Sequence, residues 1–506
     1  MNVNKILKTI CKLSKKEKVE VYVVGGYVRD QLLESKAESR THRASVSSEK
    51  PKANTDIDFV VIGSGLEFAQ KLDNELKQEG SLVEFPDFDT ARYIIKGIRN
   101  KGKAMPAGRQ GVSDLVIELE FAGARTESYD KKSRKPKVVV TSLEEDLKRR
   151  DFTVNAMAQQ VIATGISKKI IDLFGGQADL KNKILRTPLD PDETFSEDPL
   201  RMLRAARFAS QLGFSIEKSA LEAMERNHKR LKIISAERIQ EELFKLLKTD
   251  RPSVGFQILY ATKLLDEFLP EVANLQGVEE VYGHGHKNNF EHTLKVVDNI
   301  ALRSDKVVLR LAGLLHDIGK PGTKKFVKGR GWAFDMHEHL GLKLVRQIGK
   351  RLRLSKDDTE YIGKLVRWHQ QPIQLMDEKI TDSAIRRLFV TMGEEFEDLL
   401  ILCKSDITTG NPTKKVRRLK NYDYLEERVE EIIEKDKMRA FQSPVRGEEI
   451  MKECGLKPGP TVGKIKTAIE DAILDGKIEN EYEASFTYFE KIKAEYLSMA
   501  EEWERV

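Results

Sequence analysis

The chain has 506 residues, 40% apolar and 33% charged, with 87 basic against 81 acidic side chains and a formal net charge of +6. That apolar share can bury a sizeable core, which excludes wholesale disorder, and the length suggests about three domains. Three scattered cysteines (Cys11, Cys403, Cys454) make neither a disulfide framework nor a zinc ribbon, the charged N-terminus is no signal peptide, and no apolar run reaches the ~18 residues that span a bilayer, so a reduced, cytoplasmic protein with no membrane contact is expected.

The first segment reads as α/β. Val19 to Val24 is a short β-branched run that ends in Gly25-Gly26 and enters a helical pattern. Gly-Gly lets backbone approach a ligand, and the free N–H groups of a first helical turn favour phosphate oxygens, although a bare turn explains it as well. Glu34 to Thr55, rich in Ser, Lys and Glu, reads as a surface loop. In the next strand, Ile57 to Ile62, alternate side chains share a face, so Asp56 and Asp58 point one way and Ile57 and Phe59 into the core. Adjacent carboxylates repel each other and are better tolerated with a cation between them. The basic, Gly-rich stretch Arg99 to Ser113 reads as the tip of an extended hairpin. Leu115 to Phe121 follows, with Glu118 and Glu120 again on one face, and Lys137 to Val140 is a further strand. Asp56, Asp58 and one of these glutamates make a carboxylate triad able to hold two Mg²⁺ ions, which activate an attacking hydroxyl and stabilise a leaving pyrophosphate.

After about Lys168 the apolar spacing turns to three and four, and Pro199 to Leu212 and Ala236 to Leu247 are amphipathic helices. Asp198 and Arg201, three apart, are expected on one helix face. A carboxylate accepts from an exocyclic amine and a guanidinium donates to a ring nitrogen or carbonyl. Cytosine and adenine both offer an amine beside an acceptor, so such a pair would select C and A without a template. A third helical region begins near Asn288 and carries His292. Leu311, Leu314 and Leu315 form an apolar stripe before His316-Asp317, with Gly319 placed to end the helix. His337, His339, His369 and Asp406 follow, so that four of nine histidines fall into one ordered pattern with an HD pair and a later Asp. KKVRRLKNYDYLEERVEE opens a helical tail, in which GLKPGPTVGK either meets RNA phosphates or marks a helix entry.

GGYVRD, DID, the strand with Glu120 five residues before Arg125, RRDFTVNAMA, DLFGGQADL, EDPLRMLRAARFASQLGF and ISAERIQEELFKLL occur in order over the first half of the chain. Together they closely resemble the class II, bacterial-type tRNA nucleotidyltransferases and their poly(A) polymerase relatives. The resemblance implies Asp56 and Asp58 as Mg²⁺ ligands and Glu120, rather than Glu118, as the third carboxylate. It places Gly26, Arg29 and Arg150 at the triphosphate, with Gly25 in the same nucleotide-binding turn, and Asp151 and Asn155 beside the sugar. Asp198 and Arg201 would read the base, with Arg204 and Arg207 reaching phosphates or sugar. The second set resembles the HD phosphohydrolase superfamily, implying His292, His316, Asp317, His337, His369 and Asp406 as ligands of one or two metal ions that serve phosphate-ester hydrolysis. The spacing to Gly341 favours His337 over His339, and imidazole suits Mn²⁺, Ni²⁺, Co²⁺ or Fe as well as Mg²⁺. The tail segment Ser443 to Ile478 resembles the C-terminal part of bacterial CCA-adding enzymes.

The expected architecture is a polymerase-β-like α/β head with a mixed sheet at 1–165, followed by all-α parts: a neck at 166–275, an HD domain at 276–410 and a tRNA-binding tail at 411–506. The expected activity is template-independent CCA addition to tRNA from CTP and ATP. A poly(A) polymerase is disfavoured because PDFDTARYIIKG stands where those relatives carry a basic GRRF-like stretch. Separate CC-adding and A-adding enzymes are further alternatives. An HD phosphohydrolase using the head as an RNA-binding module is opposed by the intact DID and EDPLR. Gln31 to Thr55 and Arg99 to Ser113 are longer than the family pattern and read as loop insertions.

Overall fold

The computed structural model describes residues 3–38, 54–97, 115–128, 137–277, 280–281, 284–285, 288–329, 331–376, 380–436 and 443–505. The chain divides into two compact units, one of residues 1–242 with 257–267, the other of residues 243–256 with 268–506.

The first unit carries strands β1 (Val21–Val24), β2 (Asn54–Val61), β3 (Ser81–Phe85), β4 (Thr90–Gly97) and β5 (Leu115–Gly123), then a hairpin of β6 (Arg125–Ser128) and β7 (Lys137–Val140), then β8 (Met157–Ile162) and β9 (Gly165–Asp172). Seven of them form a mixed sheet in the order β3-β4-β5-β2-β1-β8-β9, in which β2 and β5 run parallel and the other neighbours antiparallel. Strand parity decides what each face carries. Ile57, Phe59, Ile117, Leu119 and Phe121 are buried against Ile6, Leu7 and Ile10 of the helix Val3–Glu17 and Phe68 and Leu72 of the helix Gly65–Glu75. Phe59 and Phe121 stack there with centroids 4.8 Å apart. Each such buried side chain is worth about 2–3 kcal/mol against exposure, which holds the register firmly. The acidic residues are thereby forced to the opposite face. Val24, Asp58, Glu120, Arg92 and Val83 then stand in one row across β1, β2, β5, β4 and β3.

The helix after β1 runs Gly26–Glu38, so part of the stretch expected as loop is helical: Leu32 to Glu38 are ordinary helix formers, and propagation does not stop where the apolar residues do. The hairpin expectation holds for its strands, which pair up to Gly97↔Leu115, while its tip at 99–113 and the middle of the 34–55 stretch lie outside the described residues.

The second unit is mostly helical. The helix Val307–Leu315, buried along almost its whole length, ends one residue before His316. Gly319 does not end it through a left-handed cap; its φ is −78°. Its part is close packing, because a Cβ there would collide with the carbonyl oxygen of His337 and lie 2.9 Å from the Gly341 nitrogen. Gly319→Ala is therefore expected to destabilise this unit by about 2–3 kcal/mol through overpacking. Thermal unfolding checks this, and an unchanged midpoint would show that the two segments part without cost. Farther on, GLKPGPTVGK leads into the helix Pro460–Leu474, whose Thr461 amide and hydroxyl both donate to Glu504 at 2.8 Å. The helix-entry reading fits that arrangement, since Glu504 already occupies the place an RNA phosphate would need.

Candidate active site and metal centre

In the first unit a cavity of about 470 Å³ opens beside the carboxylate row. Seven arginines (29, 149, 150, 201, 204, 207 and 238) line it against four carboxylates (Asp58, Glu120, Asp151 and Asp198), an excess suited to a ligand with several negative charges. The chain enters it at Gly25, whose φ of +71° turns β1 into the helix; the missing Cβ lets Arg150 and Asp58 close in.

Several of these cations are held in place by fixed partners. Buried Asp146 accepts from Arg149 at 2.8 Å and from Arg150 at 3.1 Å. Asp151 accepts from Arg204 at 2.6 and 2.8 Å, from Asn155 at 3.0 Å and from the Phe152 amide at 2.8 Å. Burial pushes its carboxyl up, but Arg204 and these bonds outweigh that and hold it near 2. Asn155 accepts in turn from Arg29 at 2.7 Å, so Arg204, Asp151, Asn155 and Arg29 form one connected chain. Phe208 lies beneath Arg207, Arg29 and Arg204 at 3.9, 5.3 and 5.4 Å.

Asp58 is poorly compensated. Burial, then the neighbouring Asp56 and Glu120, push its carboxyl up to about 6 against the pull of Arg150 and Arg204. Glu120 meets Arg92 of β4 at 3.0 Å. Asp56, exposed, and Glu118 make the next rung and stand outside the cavity lining. Carboxylates that burial and mutual repulsion leave poorly compensated are a donor set that fits divalent cations.

One expectation is corrected. Asp198 is not on the helix, which starts at Leu200; it has an extended backbone (φ −130°, ψ 96°), as a residue before proline prefers. Its side chain accepts from the Leu200 amide at 3.2 Å and from Arg238 at 3.0 Å. Arg201 bonds Glu197 and the carbonyls of Thr194 and Arg149 instead. Both still face the same cavity. Arg238, Arg149, Arg92 and Phe208 were not singled out from sequence. Arg238 sits inside ISAERIQEELFKLL, where its position on the polar side of an amphipathic helix was the available signal.

The second unit brings His292, His316 and Asp406 into one group and Asp317, His337 and His369 into another, each with ligand atoms within 4.8 Å of one another. His292 Nε2 lies 2.8 Å from Asp406, and His316 Nε2 3.1 Å from Asp317. The imidazoles are set by their other nitrogen. Nδ1 of His316, His337 and His369 each lies 2.8 Å from the carbonyl three residues earlier, of Gly313, Phe334 and Val366. That fixes a proton on Nδ1 and turns each Nε2 inward, toward the carboxylates and the other imidazoles. His337 and His369 then face each other through Nε2 at 3.3 Å, which repels unless a cation lies between them. His316 Nε2 and Asp317 Oδ1 are buried without a hydrogen-bond partner. Orphaned inward donors of this kind fit one or two divalent metals. Burial would raise Asp317, but His316 and Lys320 hold it well below the usual carboxylate range. His339 is half-buried beside Glu338, outside both groups.

Residues 21–186 match the family described as the poly(A) polymerase head domain, 213–276 that of a probable RNA and SrmB-binding site of polymerase A, and 289–435 the HD domain. The multifunctional CCA protein of Pseudomonas fluorescens (strain Pf0-1) is 30% identical over 461 residues, which cover 86% of this chain and 97% of that protein. The chain belongs to the tRNA nucleotidyltransferase family. The A-adding tRNA nucleotidyltransferase of Deinococcus radiodurans is 34% identical over 353 residues, covering 68% of this nucleotidyltransferase and 78% of that one. The CC-adding tRNA nucleotidyltransferase of Thermus thermophilus is 34% identical over 351 residues, covering 68% and 76%. The fold is shared with the Bacillus stearothermophilus CCA-adding enzyme in complex with CTP, at a TM-score of 0.63 and 22% identity over 99% of this chain and 100% of that one. The nucleotidyltransferase thus has the α/β head with a mixed sheet and the mostly helical remainder, HD domain included. No described helix is long and apolar enough to cross a membrane.

Proposed function

We propose that this protein adds CCA to the 3′ ends of tRNA from CTP and ATP in the cytoplasm, and that its HD centre hydrolyses a phosphate ester. The observation that carries the first part is the arginine-lined cavity opening on the row of Asp58 and Glu120. Full CCA addition is favoured over its CC-adding and A-adding parts because the likeness to a multifunctional CCA protein runs over 97% of that protein's length. We assign 1–165 to the head, with β9 carrying its sheet on to Asp172, the residues from there to 275 to the neck, 276–410 to the HD domain and 411–506 to a tRNA-binding tail.

Asp56, Asp58 and Glu120 would hold Mg²⁺, which supplies charge stabilisation at the attacking and leaving oxygens. The residues do the rest. The Gly25-Gly26 turn, Arg29 and Arg150 bind the triphosphate, pre-placed by Asn155 and Asp146 so that little order is lost on binding. Asp151 and Asn155 stand beside the sugar, and Arg204 and Arg207 reach phosphates or sugar. Asp198 accepts from the exocyclic amine of C or A while Arg201 donates to the neighbouring acceptor, with Arg238 setting the carboxylate. Asp198→Ala is expected to lower the preference for CTP over UTP by about 10-fold or more while leaving total incorporation less affected; competition assays with labelled CTP and UTP measure it. An unchanged ratio would remove Asp198 from base choice.

In the HD centre, His292, His316, Asp317, His337, His369 and Asp406 would hold Mn²⁺, Ni²⁺, Co²⁺, Fe or Mg²⁺, a Lewis acid for phosphate-ester hydrolysis. Incubation with tRNA lacking its 3′ end, with labelled CTP and ATP separately and together, tests the main activity. Ordered C, C, A addition is expected; A-tailing of generic RNA would instead make the protein a poly(A) polymerase.

A further inference from the structure

The helix Pro412–Asp436 presents two unlike halves. Its later half is seated in the second unit. Tyr422, Leu425, Val429 and Ile432 are buried, Lys404 donates to Asp423 and Glu426 at 3.1 and 2.8 Å, and Arg428 bonds Asp382. Its first half is not seated: residues 411–418 and Lys420 are all exposed, and Leu419 is only half-covered. That projection carries Lys414, Lys415, Arg417, Arg418 and Lys420, with no acidic residue before Asp423. None of the five cations has an ion pair among the described residues. At 3.6 residues per turn they fill an arc of about 220°, with Val416 in the gap.

Such a cluster works against the helix that bears it. Lys414–Arg417, Lys414–Arg418, Lys415–Arg418 and Arg417–Lys420 are like-charge neighbours at three or four residues, and these repel. The repulsion is relieved by a polyanion with regularly spaced charges. A bilayer surface is the poorer match, because an interfacial helix needs an apolar face and Val416 is the only exposed apolar residue in 411–418. The projection is also tied to the His/Asp centre. Asp406 precedes Pro412 by six residues, a span of at most ~20 Å. Cys403, from the helix on which Tyr422 packs, donates through its thiol to the carbonyl of His369.

We infer that Lys414 to Lys420 form a phosphate-binding face that feeds the end of an RNA chain, rather than a free nucleotide, to the HD centre. This rests on the reading of that centre as a phosphohydrolase. In the reaction meant here a water oxygen forms a new P–O bond at a 2′,3′-cyclic phosphate. One ribose–oxygen bond to phosphorus breaks, and the proton passes to the freed ribose oxygen.

The test compares the full-length protein with a variant carrying Lys414→Glu, Lys415→Glu, Arg417→Glu and Arg418→Glu, both loaded with Mn²⁺, Ni²⁺ or Co²⁺. The substrates are a tRNA transcript ending in a 2′,3′-cyclic phosphate, and 2′,3′-cyclic AMP. The variant is expected to lose about 30-fold or more in kcat/KM on the tRNA, with a flatter salt dependence, and to open cyclic AMP within twofold of wild type. Equal rates of wild type and variant on the tRNA, or equal losses on both substrates, overturn the proposal. If wild type opens neither substrate, the phosphohydrolase reading fails, and fluorescence anisotropy with a labelled acceptor-stem RNA still judges the helix. Unchanged affinity and salt slope in the variant would then dismiss it.

Discussion

Asp58→Asn is expected to cut nucleotide incorporation by about 10³-fold or more and, in the metal-free protein, to raise thermal stability. Both effects follow from one placement. Asp58 stands between the Gly25 turn and Glu120, where a carboxylate would hold a cation against the reacting phosphate. The same burial, with Asp56 and Glu120 alongside, holds its carboxyl near 6. A carboxyl raised in the folded state is no burden below its unfolded value near 4, where it is protonated in both states. Stability is lost as pH climbs from there through 6, by about 2 kcal/mol once partial solvent access is allowed for. Asn carries no such charge, so wild type and variant should diverge in melting temperature across that window and stay parallel elsewhere. Added Mg²⁺ should stabilise wild type more than the variant. A variant that incorporates CMP at the wild-type rate would remove Asp58 from the catalytic set.

Asp317→Ala is expected to abolish metal-dependent phosphohydrolase activity and to empty the HD centre of metal while nucleotide addition stays within about twofold. Asp317 is buried, with one oxygen 3.1 Å from His316 and the other 3.4 Å from His337 and 3.8 Å from His369. Removing it takes from Lys320 its buried ion-pair partner at 2.5 Å, which costs about 3 kcal/mol. Asp317→Asn keeps the volume and separates metal loss from unfolding. Metal content of the purified variants, tRNA extension and cyclic-phosphate opening are the three readouts. Loss of both activities from a folded Asp317→Asn protein would mean that the two centres are not independent.

Much of the head was legible because strand parity is a strict rule. Once Ile57 and Phe59 are placed inward, Asp56 and Asp58 have only the other face, and the same holds for Glu118 and Glu120. The HD set was legible from residue order, since His316-Asp317 follows a buried helix and its partners recur at helix ends. What escaped depends on neighbours in space. Nothing in TARYIIKG says that its strand will lie beside β5, so Arg92 could not be matched to Glu120. Arg238 reaches Asp198 from a helix 40 residues on. Asp198 itself was misplaced because a spacing of three was read as helical through a proline, where backbone sterics rule against it.

The sheet register also bears on how the chain accommodates extra length. β4 and β5 are paired along eight rungs, from Thr90↔Ala122 to Gly97↔Leu115, before residues 98–114 are reached. The rung that aligns Arg92 with Glu120 is thus settled by the strands themselves. For a connection already closed at its base, each doubling in length costs only about 0.6 kcal/mol of chain entropy. An affinity peptide or a reporter spliced in there should leave the carboxylate row where it is, which makes this hairpin a tether point for watching the enzyme on RNA.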